Sequence, residues 1–276
     1  MFNLNSDLYL NSKDMEIVYS LWPKIAWYIS LRYLFIAGGT YLLFYILFRN
    51  QFFQRKIQLV FPKNRRVWME VIYSMQTTII FATIFLLVVI VLRPYTNLYK
   101  DIDQYGVVYY LFTIPVMFVI HDTYFYWMHR AIHHPKLFRH IHFVHHQSTN
   151  PTPLAAYSFH FSESILEALI IPIIAFTLPV HTSALVIFLL GQFIINVYGH
   201  LGFELFPPKF QKTWIGKWIN TSVAHNQHHQ YFQGNYGLYF LFWDRWMGTL
   251  RKDYDEAFDE VKNRKEVIHG ELQGNK

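Results

Sequence analysis

Cysteine is absent from all 276 residues. The chain can therefore form no disulfide, no thiolate-ligated zinc site, no iron–sulfur cluster and no cysteine-ligated haem. Charge is scarce too: Asp, Glu, Lys and Arg make up 15% of residues, against roughly 25% in soluble domains. With 53% hydrophobic and 20% aromatic residues, there is too little polar side chain to cover a soluble globule, and a bilayer is implied. Asp7, Lys13 and Asp14 interrupt the N-terminus before any apolar run, so no cleavable signal peptide is expected. No dinucleotide or flavin fingerprint is visible. The net charge of +6 is not gathered into basic runs beside aromatic stacking positions, so nucleic acid is not an expected partner. Positive loops between apolar segments instead mark a cytoplasmic membrane face.

Five apolar segments are present. Residues 25–48 are apolar apart from Arg32, and residues 71–92 run without a charge between Glu70 and Arg93. Residues 104–120 form a third segment with Pro115, and 165–180 and 182–199 form a pair joined around Pro179 and His181. A bilayer core of about 30 Å takes ~20 helical residues, which the first two supply; the other three are shorter unless their ends lie inside protein. The loop after the first span holds Arg49, Arg55, Lys56, Lys63, Arg65 and Arg66 and no acid, which places it in the cytosol and the N-terminus outside. Counting crossings from there puts residues 121–160, His200 and residues 225–229 on the same cytosolic face, with His181 opposite. The expected organisation is an extracytoplasmic segment at 1–24, a first helical pair at 25–104, a further unit at 105–250 and a polar cytosolic tail at 251–276, solvated or frayed. The fold class is an all-α integral membrane protein of four to five embedded helices.

Histidine is what the chain has in excess: 15 residues, eight of them between His121 and His146. Three clusters share a geometry, namely His129-Arg-Ala-Ile-His133-His134, His142-Phe-Val-His145-His146 and His225-Asn-Gln-His228-His229. Residues three and four apart share a helix face, so each His-x-x-His-His box is expected to aim its imidazoles at one point. Imidazole suits iron, zinc, copper and nickel, and so many nitrogens exceed the needs of one ion; two are expected. Asp122 lies two turns before His129, His160, Glu163 and Glu167 are spaced by three and four, and Glu204 is four after His200. Asp122, His160, Glu163 and Glu204 are therefore candidates for ligation or for orienting a ligand. His121, His140 and His181 read as single interfacial or hydrogen-bonded residues. Asn220-Thr-Ser fits a glycosylation pattern, but on the cytosolic side it has no such use.

The run Asp122-Thr-Tyr-Phe-Tyr-Trp-Met-His129-Arg-Ala-Ile-His133-His134-Pro135-Lys136, with residues 142–146 after it, resembles the fatty acid hydroxylase/sterol desaturase superfamily. Tyr157-Ser-Phe-His160, Gly199-His200-Leu-Gly-Phe-Glu204 and the stretch from His225 through Asn235-Tyr-Gly to Gly248-Thr249 match its later blocks, with the sterol C5-desaturase-like branch nearest in flavour. The resemblance spans residues 105–250. It implies a non-haem di-iron centre under a cytosolic cap, with zinc able to substitute on purification, and O₂ as cosubstrate. Carried over, the ligands are His129, His134, His142, His145, His146, His200, His225, His228 and His229, with His129, His145 and His228 at the reactive centre. Helix geometry favours His133 over His134 as the partner of His129, since five residues apart is about 140° round a helix; both stay candidates. Two departures stand out: Glu204 replaces a histidine of the fatty acid 2-hydroxylases, as in the sterol-modifying branches, and Phe161 replaces a proline.

The resemblance further implies hydroxylation or desaturation of an unactivated C–H bond in a membrane lipid: a sterol or hopanoid, a fatty acyl chain or a sphingoid base. An external electron donor, cytochrome b5-like or ferredoxin/reductase, is implied with it. The Ile, Lys, Asn, Phe and Tyr bias favours a bacterial inner membrane, with the endoplasmic reticulum as the eukaryotic equivalent. Two other classes compete. A metal transporter needs ligands near mid-span, whereas these boxes sit at span ends; a zinc hydrolase needs a His-Glu-x-x-His or an evident general base, and neither is present.

Overall fold

The computed structural model describes residues 12–274, so the first eleven residues of the expected extracytoplasmic segment lie outside the described part. The chain is mostly helical. In order, the helices are α1 (apolar stretch Val18–Leu47), α2 (Asn64–Val91), α3 (Gly106–Ile132), α4 (Pro135–Ile141), α5 (Phe143–His146), α6 (Phe161–Ala168), α7 (Ile170–Thr177), α8 (Thr182–Gly199), α9 (Ser222–Tyr231), α10 (Phe242–Trp246) and α11 (Tyr254–Gly274). Four of them, α1, α2, α3 and α8, are long and apolar enough to cross a membrane. The fourth apolar segment is broken at Leu169 into α6 and α7. Ile170, Ile171, Ile174 and Ala175 are buried against Val88 and Val89 of α2, Met117 of α3 and Leu185 and Phe188 of α8. A segment that is apolar all round belongs inside such a bundle, which is why it needs no lipid-facing length of its own.

Sidedness follows from which loops touch. After α2, Leu98–Tyr99 pairs in parallel with Val180–His181, just before α8, so those two connections share one face. The basic connection between α1 and α2 lies at the other. There, Glu204 donates its N–H to the Arg55 carbonyl at 2.9 Å, and Gln58 Nε2 donates to Asn226 Oδ1 of α9 at 2.9 Å. Lys56 Nζ donates to Asn150 Oδ1 at 3.3 Å among the rings of Tyr45, Phe61 and Phe203. The crossing count from the sequence thus agrees with the packing: the basic loop and the histidine-bearing segments are on one side, and His181 is on the other. Lys56, counted in the sequence as a loop charge, is buried.

The third apolar segment runs further than its apolar part. α3 continues twelve residues past Ile120 and carries His121, Asp122 and His129 beyond the apolar stretch. The tail also differs from expectation. Rather than fraying, α11 buries Tyr254, Phe258 and Val261 against Val223 and Ala224 of α9 and Leu241. Their spacing of four and three makes one narrow stripe, hidden in a charge-dense sequence. Arg264 fastens the helix to the basic loop by donating to the carbonyls of Lys56 and Ile57.

Candidate metal centre

Pro135 decides how α3 ends. The residue before a proline is pushed out of the helical region, and His134 sits at φ −59°, ψ 133° with Nδ1 accepting from the Lys136 N–H. That rotation leaves His134 exposed at the start of α4. His133, four residues after His129, keeps helical backbone and the same face. The structure therefore brings His133 to the cluster and places His134 outside it.

Nine imidazoles converge in two groups: His129, His133, His142, His146 and His228 in one, His145, His200, His225 and His229 in the other, each with its candidate ligand atoms within 4.8 Å of one another. The expectation that a box aims at one point is corrected. At α5, the N-cap His142 and His146 join the first group and His145 the second; on α9, His225 and His229 join the second and His228 the first. The reason is angular. Residues four apart differ by about 40° on a helix, whereas the residue three along lies about 60° off on the other side, so each helix straddles both groups. Eight of the nine are buried and His133 is half-buried.

Ring-nitrogen partners fix what the groups can bind. Nδ1–H donates to a backbone carbonyl in His129 (Tyr236, 2.9 Å), His145 (Ser158, 3.2 Å), His200 (Asn196, 2.9 Å), His228 (Gly234, 2.7 Å) and His229 (Ser148, 3.0 Å). His142 Nδ1 meets Glu163 Oε1 at 2.5 Å. Each of these rings is left with a bare lone pair at Nε2. Yet Nε2 atoms face each other at 3.0 Å between His129 and His142, 3.3 Å between His145 and His200, and 3.2 Å between His200 and His229. No proton is available to bridge those pairs. Nor is protonation favoured: burial first, then neighbouring imidazoles, holds His142, His145, His146, His225 and His229 well below the ordinary value. A cation resolves the conflict. Nitrogens roughly 2.1 Å from one ion and at right angles stand about 3.0 Å apart, and the observed contacts run from 3.0 to 3.3 Å. The donor set fits two metal ions.

The carboxylates proposed beside the histidines are placed as follows. Glu163 meets His142. Glu204 accepts from Tyr198 Oη at 2.7 Å and from the backbone N–H groups of Phe206 and Val223, so it holds the N-terminal end of α9 while standing outside both groups. Asp122 Oδ1 accepts the N–H groups of Leu238, Tyr239 and Phe240 at 3.2, 2.7 and 3.2 Å, clamping the segment that supplies the Tyr236 carbonyl. Asp122→Ala orphans three buried donors at about 1–3 kcal/mol each; a loss of at least about 3 kcal/mol in thermal unfolding of the detergent-solubilised protein is expected. His160 caps α6 through the Ser162 N–H. His121 Nδ1 pairs with Tyr239 Oη at 2.8 Å, His181 Nε2–H donates to the Lys100 carbonyl at 2.7 Å, and His140 is exposed. The side chain of His269 lies outside the described residues.

Sequence reasoning missed the carbonyls that orient the rings, because a backbone oxygen leaves no residue signature. One trace existed. After α9 the chain turns through left-handed Phe232, Gly234 and Asn235 (φ 63°, 77° and 54°), bringing the Gly234 and Tyr236 carbonyls onto His228 and His129. A Cβ on Gly234 would stand 2.7 Å from the Thr249 carbonyl oxygen. Asn235 tolerates its conformation because its Nδ2 donates to the Ala224 carbonyl and its Oδ1 accepts the Arg251 N–H, both at 2.9 Å.

Beneath the rings lies a cavity of about 260 Å³ between α1, α3, α6, α7 and α8. His129, His142, His145, His200 and His225 close one end, and Tyr28, Val186 and Leu190 stand at the other. Tyr28, Val186 and Leu190 are exposed on the bundle's outer surface, so the cavity connects the histidine groups with the lipid-facing side.

A family model described as fatty acid hydroxylase matches residues 114–249, the stretch that holds all nine converging histidines. The chain belongs to the fatty acid hydroxylase/sterol desaturase superfamily. Among relatives of this superfamily, rat lathosterol oxidase (Rattus norvegicus) is 34% identical over 165 residues, 58% of this chain and 52% of that protein. Human lathosterol oxidase is 31% identical over 200 residues, covering 69% and 63%. A delta(7)-sterol 5(6)-desaturase of Schizosaccharomyces pombe is 29% identical over 255 residues, covering 88% and 80%. The chain spans about half the length of the rat protein and of a fungal desaturase from Leptosphaeria maculans. No solved structure matches. Members of the superfamily are oxidoreductases, and these relatives place the chain in its sterol C5-desaturase-like branch.

Proposed function

We propose that this chain is an O₂-dependent non-haem di-iron oxidase that desaturates or hydroxylates an unactivated C–H bond of a membrane lipid. The observation behind this reading is the convergence of lone-pair nitrogens in two groups at the dry end of an apolar, lipid-facing cavity. His129, His133, His142, His146 and His228 would hold one iron, and His145, His200, His225 and His229 the other. Iron bound there would supply O₂ activation and the power to break a strong C–H bond. The protein does the rest. Backbone carbonyls fix the tautomer and plane of five rings, Glu163 orients His142, and the apolar wall admits a hydrocarbon while excluding water.

The catalytic unit is residues 105–250, opening to the cytosol with the basic loop, whether in a bacterial inner membrane or the endoplasmic reticulum. Electrons would come from an external cytochrome b5-like or ferredoxin/reductase donor on that face. The names of the relatives point to a delta(7)-sterol as the first substrate to try and to desaturation as the outcome. Comparative lipid mass spectrometry of host cells fed that sterol in air tests this, with the intact chain and the His145→Ala variant. Expected is a sterol lighter by two hydrogens with the intact chain and at least about 100-fold less with the variant; a lipid heavier by one oxygen would make the reaction a hydroxylation. Undiminished oxygen-dependent turnover by His145→Ala would overturn the assignment.

A further inference from the structure

Among the acidic side chains lining the cavity, Glu167 has no protein partner. It follows Glu163 by four residues on α6, hence on the same face and one turn, about 6 Å, further from His142. Glu163 is engaged by His142. Among the described residues no hydrogen bond or ion pair engages Glu167, which is half-buried against the cavity. Other polar side chains of the wall each have a protein partner, although among the described residues Glu163 Oε2, Arg32 Nε and His121 Nε2 have none. Arg32 donates to Tyr157 Oη at 2.9 Å and to the Leu189 carbonyl at 3.3 Å, Asn196 Nδ2 to the Ala156 carbonyl at 2.8 Å, and His121 meets Tyr239 Oη. Lys24 stands exposed at the mouth. The apolar part of the cavity wall includes Phe85, Phe125, Ala168, Ile170, Ile171 and Leu238.

An acid in an apolar pocket without a donor is costly. For a substrate that is all hydrocarbon, a leucine at this position would serve better. The arrangement makes sense if the donor arrives with the ligand. We infer that Glu167 accepts a hydrogen bond from a hydroxyl of the substrate, which is therefore a lipid alcohol oxidised close to that hydroxyl. The depth of Glu167 sets the spacing. A hydroxyl held there lies about one helical turn from the histidine end, a span that a fused-ring alcohol crosses in a few bonds. A long acyl chain whose headgroup stays at the membrane surface would bring no donor to it. Glu167 is thus a specificity residue, and this inference rests on the lipid-oxidase reading above.

The experiment separates the two. Probes are a delta(7)-sterol with a free ring hydroxyl and the same sterol methylated on that oxygen. Retention of each radiolabelled probe is measured on the detergent-solubilised, chelator-treated full chain, for the wild type, Glu167→Leu and Glu167→Gln. Turnover of both probes is measured in iron-loaded membranes. A hydrogen bond to a buried carboxyl acceptor corresponds to about two- to tenfold in affinity. Expected is a preference of that size for the alcohol in the wild type, a ratio near one in Glu167→Leu, and an intermediate ratio in Glu167→Gln, whose amide oxygen still accepts. The same ordering is expected in KM, with iron content unchanged. A wild type that binds alcohol and ether equally, or a Glu167→Leu variant that keeps the full preference, overturns the inference whatever the turnover shows. If iron-loaded membranes oxidise neither probe while the binding preference is present and lost in Glu167→Leu, the hydroxyl site stands and the lipid-oxidase reading is at fault.

Discussion

Replacing His133 with alanine is expected to abolish lipid oxidation, by at least about 100-fold, and to lower bound iron from about two ions per chain to about one. His134→Ala, one residue along, is expected to leave turnover within about twofold and both ions in place. The contrast comes from backbone geometry. His133 extends the helical face of His129, and its Nε2 stands 3.1 Å from those of both His146 and His228. His134 is turned outward by Pro135 and caps α4. Metal analysis of the two purified variants, alongside product formation in membranes, checks the pair. Loss of iron in His134→Ala would mean that the end of α3 rearranges when the metals bind.

That pair also marks how far the sequence could be read. The three boxes and their common face follow from periodicity, loop charge and length, because helical rise and bilayer thickness are fixed quantities; that the fourth apolar segment is buried inside the bundle did not. Periodicity also separates His133 from His134 once the effect of Pro135 is included. The division of each box between two groups was not legible. The angle between His145 and His146 says they diverge, but where each lands depends on α9 and on the Gly199–His200 end of α8, far away in sequence. Asp122 looked like a ligand because it shares the face of His129; in three dimensions its partners are backbone N–H groups 116 to 118 residues away. The stripe Tyr254, Phe258 and Val261 was masked by surrounding charge, and its burial depends on the surface α9 presents. Glu167 stood at helical spacing from Glu163, yet only the cavity distinguishes a bonded acid from one awaiting a partner.

Stripping the metal is expected to make the fold acid-labile in a narrow window. In the folded chain His142, His145, His146, His225, His228 and His229 are held below the ordinary imidazole value by burial and then by one another's charge. The unfolded chain titrates normally, near pH 6.5. Well above that both states are neutral and the six contribute no pH dependence. Below it the unfolded state takes up protons that the folded state refuses, so stability falls as pH falls, by about 1.4 kcal/mol per unit for each group. Six acting together approach ~8 kcal/mol per unit, comparable to the whole stability of an ordinary domain. Chelator-treated protein in detergent should therefore lose at least about 10 °C of Tm between pH 6.5 and 5.5, and about a third as much between 7.5 and 6.5. Metal-loaded protein should stay level further into acid, because a proton must then displace an ion to bind. A chelated sample whose Tm is flat from pH 7.5 to 5.5 would mean that the imidazoles leave the dry interior once the ions are gone, and that the ions themselves hold the nine rings together.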